Sequence, residues 1–114
     1  MLGTVLAARG WSPILAESGR NALYKLTYEI PRVILMDMRM PDMNGFELAA
    51  ILKKHGVYRS IPILAATGYP DYVARQQCLL AGCDDYISKP FALSALETCL
   101  NNLLSLEKTK AIVR

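Results

Sequence analysis

Short continuous apolar runs that alternate with helical segments constrain the fold of this chain more than any other feature. Four runs are predicted to be β-strands, at residues 13–16, 33–36, 61–66 and, more weakly, 85–88. The first three lack strict apolar–polar alternation, which fits strands that are buried on both faces. Strands that alternate with helices through short links predict right-handed βαβ units, and therefore a parallel sheet flanked by helices.

Apolar residues at helical spacing predict the helices between these strands. Residues 2–9 are typical of the second half of a helix that ends at Gly10, and Gly82 is a plausible helix stop. The last helix is predicted over about residues 92–106. The other three predicted helices carry these apolar stripes: Ala22, Leu23, Leu26 and Ile30; Phe46, Leu48, Ile51 and Leu52; Val73, Cys78, Leu79 and Leu80.

The composition narrows the class of protein. The 114 residues fit one domain over 1–114, and 53% hydrophobic with 20% charged residues allow a buried core. The net charge of +3 is dispersed, which argues against nucleic acid binding. Three cysteines without CxxC spacing argue against a disulfide framework or a zinc site. No apolar run approaches the roughly 18 residues of a membrane helix, so we predict a soluble cytoplasmic protein.

One strand runs directly into an acid, in the stretch VILMDMRMPDMNG over residues 33–45. Asp37 there either caps the loop or performs chemistry. The next two strands end at Thr67 and Lys89, and parallel strands place all three groups at one edge of the sheet. A carboxylate can attack a phosphoryl donor, and the transferred group needs a cation and a hydroxyl aimed at its oxygens. The three groups therefore predict a phosphorylation site.

Three blocks of sequence resemble the receiver domain of two-component response regulators, at the intervals of that family and over nearly the whole chain. The blocks are LMDMRMPDMNGFEL with Asp37, Pro41 and Gly45, PILAATG with Thr67 and Gly68, and AGCDDYISKPF with Tyr86, Lys89 and Pro90. The resemblance implies that Asp37 is the phosphoacceptor, with Thr67 and Lys89 beside it. It implies a switch through Thr67 and Tyr86, and loop geometry set by the glycines and prolines. A cis bond before Pro90 is one way in which this proline could fix its loop.

The resemblance also implies the fold, the partners and the cofactor. The fold is α/β and flavodoxin-like, with a parallel sheet flanked by helices. The phosphoryl donor is the phosphohistidine of a histidine kinase or a histidine phosphotransfer protein. Mg²⁺ is the implied cofactor, and any catalysis is limited to transfer onto and loss from the domain's own aspartate. Phosphorylation is then a local charge event that biases a two-state element.

The family begins with a strand that ends in an acidic pair, and we expect this sequence to start after it, within the first helix (residues 1–10). For the metal, this leaves Asp37, the backbone carbonyl of Arg39 and, more distantly, Glu17 as ligands. For the fold, we expect either four strands in the family's order 2-3-4-5, or completion by segment exchange with a second chain in a homodimer or swapped oligomer. The tail, residues 107–114, contains the short, strand-like sequence KAIVR. This segment could help to complete the sheet, but we expect a frayed tail.

Two other functions are compatible with parts of the pattern. A receiver that has lost its metal site would serve as an interaction or dimerisation module that needs no phosphorylation, and Mg²⁺ affinity distinguishes it. A phosphatase of the haloacid dehalogenase type also uses a strand-end aspartate, but it needs a second acid two residues later. Arg39 stands at that position, so we set the phosphatase reading aside.

Overall fold

Helices and strands alternate along the chain as the apolar pattern predicts. The computed structural model describes residues 2–39 and 42–108. Within these residues the elements are α1 Leu2–Ala8, α2 Gly19–Leu26, β1 Ile34–Asp37, α3 Gly45–Lys54, β2 Ile63–Thr67, α4 Asp71–Ala81, β3 Asp85–Ser88 and α5 Leu93–Lys108. No helix among the described residues is long and apolar enough to cross a membrane.

The described strands form one parallel sheet in the order β1-β2-β3. In the register, Asp37 lies opposite Ala66, and Thr67 lies opposite Ser88. Every residue of β2 is buried, because the central strand is covered on both faces and paired along both edges. The parallel sheet confirms the flavodoxin-like class. The expectation of strands buried on both faces is confirmed for β2 only, since β1 has a single buried residue, Met36.

Two hydrophobic layers cover the sheet, and β2 contributes alternate residues to each. Ile63 and Ala65 pack into the layer built by α2, α3 and α4. Leu64 and Ala66 pack into the opposite layer, built mainly by α1 and α5. The two alanines leave room for the helices to approach the sheet closely.

A capping box begins one helix, and glycines in the left-handed region follow the ends of two others. Asn44 caps α3, where its side chain accepts from the Glu47 amide and the Glu47 side chain accepts from the Asn44 amide. The helix α4 ends at Gly82, whose φ of 87° lies in the left-handed region, so the predicted stop at this glycine is confirmed. The predicted end of α1 at Gly10, with a φ of 93°, is confirmed as well.

An ion pair and an indole hydrogen bond join the end of α1 to α5. Glu97 accepts from the guanidinium of Arg9 at 2.8 Å and from the indole N–H of Trp11 at 3.0 Å. The Trp11 ring also packs against the layer that contains Leu6 and Leu100. These contacts hold the beginning of the chain against its last helix.

The predicted strand at residues 13–16 is wrong, since residues 11–16 have no regular secondary structure. A strand needs a partner backbone at about 4.8 Å. Here a cleft of about 790 Å³ lies between this segment and β1, lined by residues 11–18 on one side and 33–37 on the other. The expected four-stranded sheet is therefore wrong for the described residues, which form three strands. Completion by segment exchange remains a prediction.

Two predicted helices differ in detail. The helix α2 ends at Leu26, so Ile30 of its predicted stripe lies beyond it. In α4 the sheet is contacted by Ala74, Cys78 and Ala81, while Leu79 and Leu80 are 77% and 80% exposed. The small residues recur at the 4- and 3-residue spacing of a helical face, and the leucine pair falls outside it.

The three cysteines were predicted to form neither a disulfide framework nor a zinc site. Cys78, Cys83 and Cys99 are free thiols, as expected. Burial, with its neighbour Cys78, raises the pKa of Cys83 to about 12, which leaves this thiol unreactive at neutral pH.

The helix α5 continues through Lys108, beyond the predicted end at residue 106. Residues 109–114, with the strand-like part of the tail, lie outside the described residues.

Truncation of a buried core leucine tests the packing. Leu52 of α3 is 1% exposed, so Leu52→Ala is expected to lower the free energy of unfolding by about 2–5 kcal/mol. Leu80→Ala in α4 is the matched control, with an expected change within about 0.5 kcal/mol, because that side chain is 80% exposed. Urea unfolding measures both changes. Equal losses in the two variants would contradict the assignment of the buried faces.

Candidate functional site

An ion pair lies at the carboxyl edge of the sheet. Asp37 is the last residue of β1, and Lys89 directly follows β3. The Lys89 ammonium nitrogen lies 2.8 Å from Asp37 Oδ2, across the end of β2. The side chains of Lys89 and Asp37 are 38% and 50% exposed, so the pair is open to an approaching molecule.

The surroundings of Asp37 keep it ionised. Its Oδ1 accepts a hydrogen bond of 2.9 Å from the Arg39 amide. Partial burial works to raise the pKa of Asp37, but the Lys89 ammonium and the Arg39 amide outweigh it and hold the pKa below 3.8. At neutral pH the group is a carboxylate, the form that can act as a nucleophile.

Thr67 lies at the end of the neighbouring strand. Its side chain is buried, with the residue 1% exposed, and its Oγ1 accepts a 3.0 Å hydrogen bond from the Tyr69 amide. The Lys89 amide donates to the Thr67 carbonyl at 2.8 Å, which fixes the two strand ends together. The Tyr69 ring stacks on Phe46 of α3 with ring centroids 6.4 Å apart. The hydroxyl is thus held by the loop after β2.

Tyr86 connects this edge to α4. The side chain is half-buried and packs against the hydrophobic layer beneath that helix. A hydrogen bond with the Tyr86 hydroxyl raises the pKa of Arg75, a residue of α4. One turn earlier, Asp71 accepts a 3.1 Å hydrogen bond from Ser88. The helix α4 is therefore tied to β3 at two points, and no spacing signal in the sequence indicated Arg75.

The loop residues named from the sequence occupy different situations. A Cβ on Gly45 would lie 2.4 Å from Met38 Cε and 2.7 Å from the Asp37 carbonyl oxygen, so only glycine fits without a shift. A Cβ on Gly68 would meet no atom within 4 Å. The Lys89–Pro90 peptide bond is cis. Pro41 lies outside the described residues.

The proposed metal ligands share one cleft. Asp37, Arg39 and Glu17 all line it. Glu17 follows the segment 13–16, which was predicted to be a strand and is not one. The described residues contain no group of three histidine, cysteine, aspartate or glutamate side chains able to hold a metal ion. Mg²⁺ commonly keeps several waters and takes one or two carboxylates together with substrate phosphate oxygens. These oxygen donors fit such a hydrated ion and do not fit an all-protein cage.

Sequence reasoning missed Asp42, which crosses from the loop after β1 to the start of α2. Its two carboxylate oxygens each accept a 2.9 Å hydrogen bond, one from the Gly19 amide and one from the Arg20 amide. These bonds lower the pKa of Asp42. The acid and its partners are far apart in sequence, so no local motif could have shown the contact.

Known proteins resemble this chain in sequence and in fold. Residues 1–101 match the family of the response regulator receiver domain. The chain is 32% identical over 114 residues to the regulatory protein AtoC of Escherichia coli, covering 100% of this chain and 24% of that protein. Because the chain spans about a quarter of that relative, the similarity concerns one part of it.

Solved structures agree with the family match. The receiver domain of a signal transduction histidine kinase from Syntrophus aciditrophicus has a TM-score of 0.86 at 30% identity, over 99% of this chain and 86% of that one. The receiver domain of the sensor histidine kinase PA1611 from Pseudomonas aeruginosa has a TM-score of 0.81 at 28% identity, over 91% and 85%. That structure holds a magnesium ion in its active-site cleft.

The family match extends over residues 1–101 and therefore decides the class of protein. The chain belongs to the response regulator receiver domain family.

Removal of the Lys89 charge tests the electrostatics of the pair. In Lys89→Gln the pKa of Asp37 is expected to rise, because burial remains while the ammonium is lost. Because the pKa of Asp37 is lower in the folded protein, the carboxylate contributes to stability above pH 3.8, and this contribution is lost as the pH falls through the pKa of the folded state. The loss of stability at low pH is therefore expected to be smaller in the variant. NMR titration of the Asp37 carboxyl carbon measures the shift. Lys54→Gln, which removes a positive charge from α3, is the control. An unchanged pKa of Asp37 in Lys89→Gln would contradict the ion pair.

Proposed function

We propose that this receiver domain accepts a phosphoryl group on Asp37 and thereby changes the surface formed by α4 and β3. The ionised Asp37 beside Lys89, with Thr67 at the next strand end, is the observation that carries the proposal. The donor is the phosphohistidine of a histidine kinase or a histidine phosphotransfer protein. We therefore expect the protein to act in the cytoplasm, as a signalling switch whose only reactions are the transfer of a phosphoryl group onto its own aspartate and the loss of that group.

The transfer follows from the positions of the three groups. An Asp37 oxygen attacks the phosphorus, the bond from phosphorus to the donor's histidine nitrogen breaks, and that nitrogen keeps the electron pair. Lys89 lies where it can move from the carboxylate to a phosphoryl oxygen, and the Thr67 hydroxyl can donate to another. A magnesium ion on Asp37 and the Arg39 carbonyl would neutralise charge on the transferred group, as the ion in the Pseudomonas relative suggests.

The same contacts supply a route from the site to the surface. In the resting structure the Thr67 hydroxyl is engaged by the Tyr69 amide. If it turns towards a phosphoryl group, it gives up that bond, and the loop leading to α4 is released. Tyr86 packs below α4 and is the neighbouring side chain that can respond. The two-state element is thus the start of α4 with the Tyr86 ring.

A second candidate function is an interaction module that works without phosphorylation. The outer face of α4 favours it, because Tyr72, Leu79 and Leu80 are 76%, 77% and 80% exposed there. Exposed apolar side chains in one stripe are typical of contact surfaces.

Phosphorylation by a small donor separates the two functions. The protein is incubated with acetyl phosphate and Mg²⁺, and its intact mass is measured over time. One phosphoryl adduct is expected, absent from Asp37→Ala, and formed about 100-fold more slowly in Lys89→Gln because one charge partner is lost. Asp71→Ala, on α4, is the matched control for loss of an acid. No adduct on folded wild-type protein would reject phosphorylation and favour the interaction module.

The outward edge of β1 predicts self-association. Among the described residues, β1 pairs with β2 alone, and its other edge faces the cleft. An unpaired strand edge is a template for another chain, so we expect a homodimer or a segment-exchanged oligomer. Sedimentation velocity over a range of protein concentrations measures this directly. A single monomeric species at the highest concentration contradicts the expectation.

A further inference from the structure

The loop after β1 is fastened to the start of α2 by a single carboxylate. Asp42 Oδ1 and Oδ2 accept from two consecutive amides, Gly19 and Arg20, at 2.9 Å each. These two amides belong to the first turn of α2, where backbone N–H groups have no partner within the helix. A charged acceptor there makes stronger hydrogen bonds than a neutral one.

Packing reinforces this contact at the next residue. A Cβ on Gly19 would lie 2.5 Å from Met43 Cγ and 2.7 Å from Met43 Sδ, so the Met43 side chain rests directly on the glycine. We call the contact of Asp42 and Met43 with Gly19 and Arg20 the α2 clasp. It combines a two-point hydrogen bond with a close apolar contact.

The other polar contacts at this helix start are local. Ser18 accepts from the Asn21 amide at 3.1 Å, and the Asn21 side chain accepts from the Glu17 amide at 3.0 Å. These bonds shape the helix start but do not attach it to the rest of the protein. Residues 11–16 pair with no strand among the described residues, so the clasp attaches the start of α2 to the loop after β1 without a sheet ladder beside it.

The clasp lies beside the candidate metal ligands on both of its segments. Glu17 precedes Gly19 by two residues, and Arg39 precedes Asp42 by three. Glu17, Arg39 and Asp37 line one cleft, so the distance across its mouth depends on how the two segments are joined.

We propose that Asp42 is a positioning residue, which holds the Glu17 segment against the loop after β1 and so sets the affinity of this edge for a divalent cation. The proposal deepens the proposed function, since the cation serves phosphorylation at Asp37. Asp42 touches neither the cation nor the phosphoryl group. It acts through the backbone of α2 and of its own loop.

Asp42→Ala is the test variant, and Ser18→Ala is the matched control. Both remove a side-chain acceptor from the first turn of α2, but only Asp42 reaches another segment. The first readout is amide hydrogen exchange by NMR. Exchange at Gly19 and Arg20 is expected to accelerate in Asp42→Ala, while in Ser18→Ala the acceleration is expected at Asn21.

The second readout is Mg²⁺ binding to the unphosphorylated protein, followed through the Arg39 amide shift. Asp42→Ala is expected to raise the dissociation constant about 10-fold, as loss of a group that orients metal ligands commonly does. Ser18→Ala is expected to leave it unchanged. In the acetyl phosphate reaction, Asp42→Ala is then expected to need more Mg²⁺ for half the maximal rate and to reach the wild-type rate at saturation.

Each outcome decides the proposal. Faster exchange at Gly19 and Arg20 with unchanged Mg²⁺ affinity overturns it, as does a wild-type protein that binds no Mg²⁺. Equal loss of affinity in Ser18→Ala overturns it too, because the effect would then be general weakening of α2. If Asp42→Ala does not fold, Asp42→Asn replaces it, and its amide oxygen is expected to give an intermediate loss. If Asp42→Ala weakens Mg²⁺ binding but the wild-type protein forms no phosphoryl adduct, the proposed function is rejected and the positioning role of Asp42 stands.

Discussion

The pairing of β2 with a strand on each side sets the position of every group in the candidate site. Because all three strands are parallel, their carboxyl ends meet at one edge, and the chemistry gathers there. Because β2 sends alternate residues into the two apolar layers, a slip by one residue would move each side chain into the opposite layer and misplace its large and small residues. A rigid central strand therefore fixes the separation of Asp37 and Lys89, which lie on either side of it.

For the proposed phosphorylation, the site must hold the Asp37 carboxylate in place and still leave it accessible. A fully buried ion pair would meet the first need and fail the second, since a phosphoryl donor is large and charged. Here the Asp37 and Lys89 side chains remain partly exposed, while their backbones are fixed by the sheet. In the proposed switch, the side chains that move are Thr67, which contacts the loop after β2, and Tyr86, which packs against the layer beneath α4.

Most strands and the polar residues at their ends could be predicted from the sequence, because a short apolar run and the residue that follows it are adjacent in the chain. The strand Asp85–Ser88 and the stop at Gly82 were predicted directly. The strand expected at 13–16 failed because a strand exists only beside a partner, which a local pattern cannot show. The bonds from Asp42 to Gly19 escaped for the same reason, since they join segments far apart in the chain.

The attachment of Trp11 to Glu97 has a practical consequence. The protein has one tryptophan, and it lies on the wall of the cleft beside β1. Its indole is half-buried and donates to a carboxylate on α5, so its emission depends on the polarity of the cleft and on that bond. The chain thus carries a built-in optical reporter on the side of the sheet where a further strand would have to enter, without any added dye.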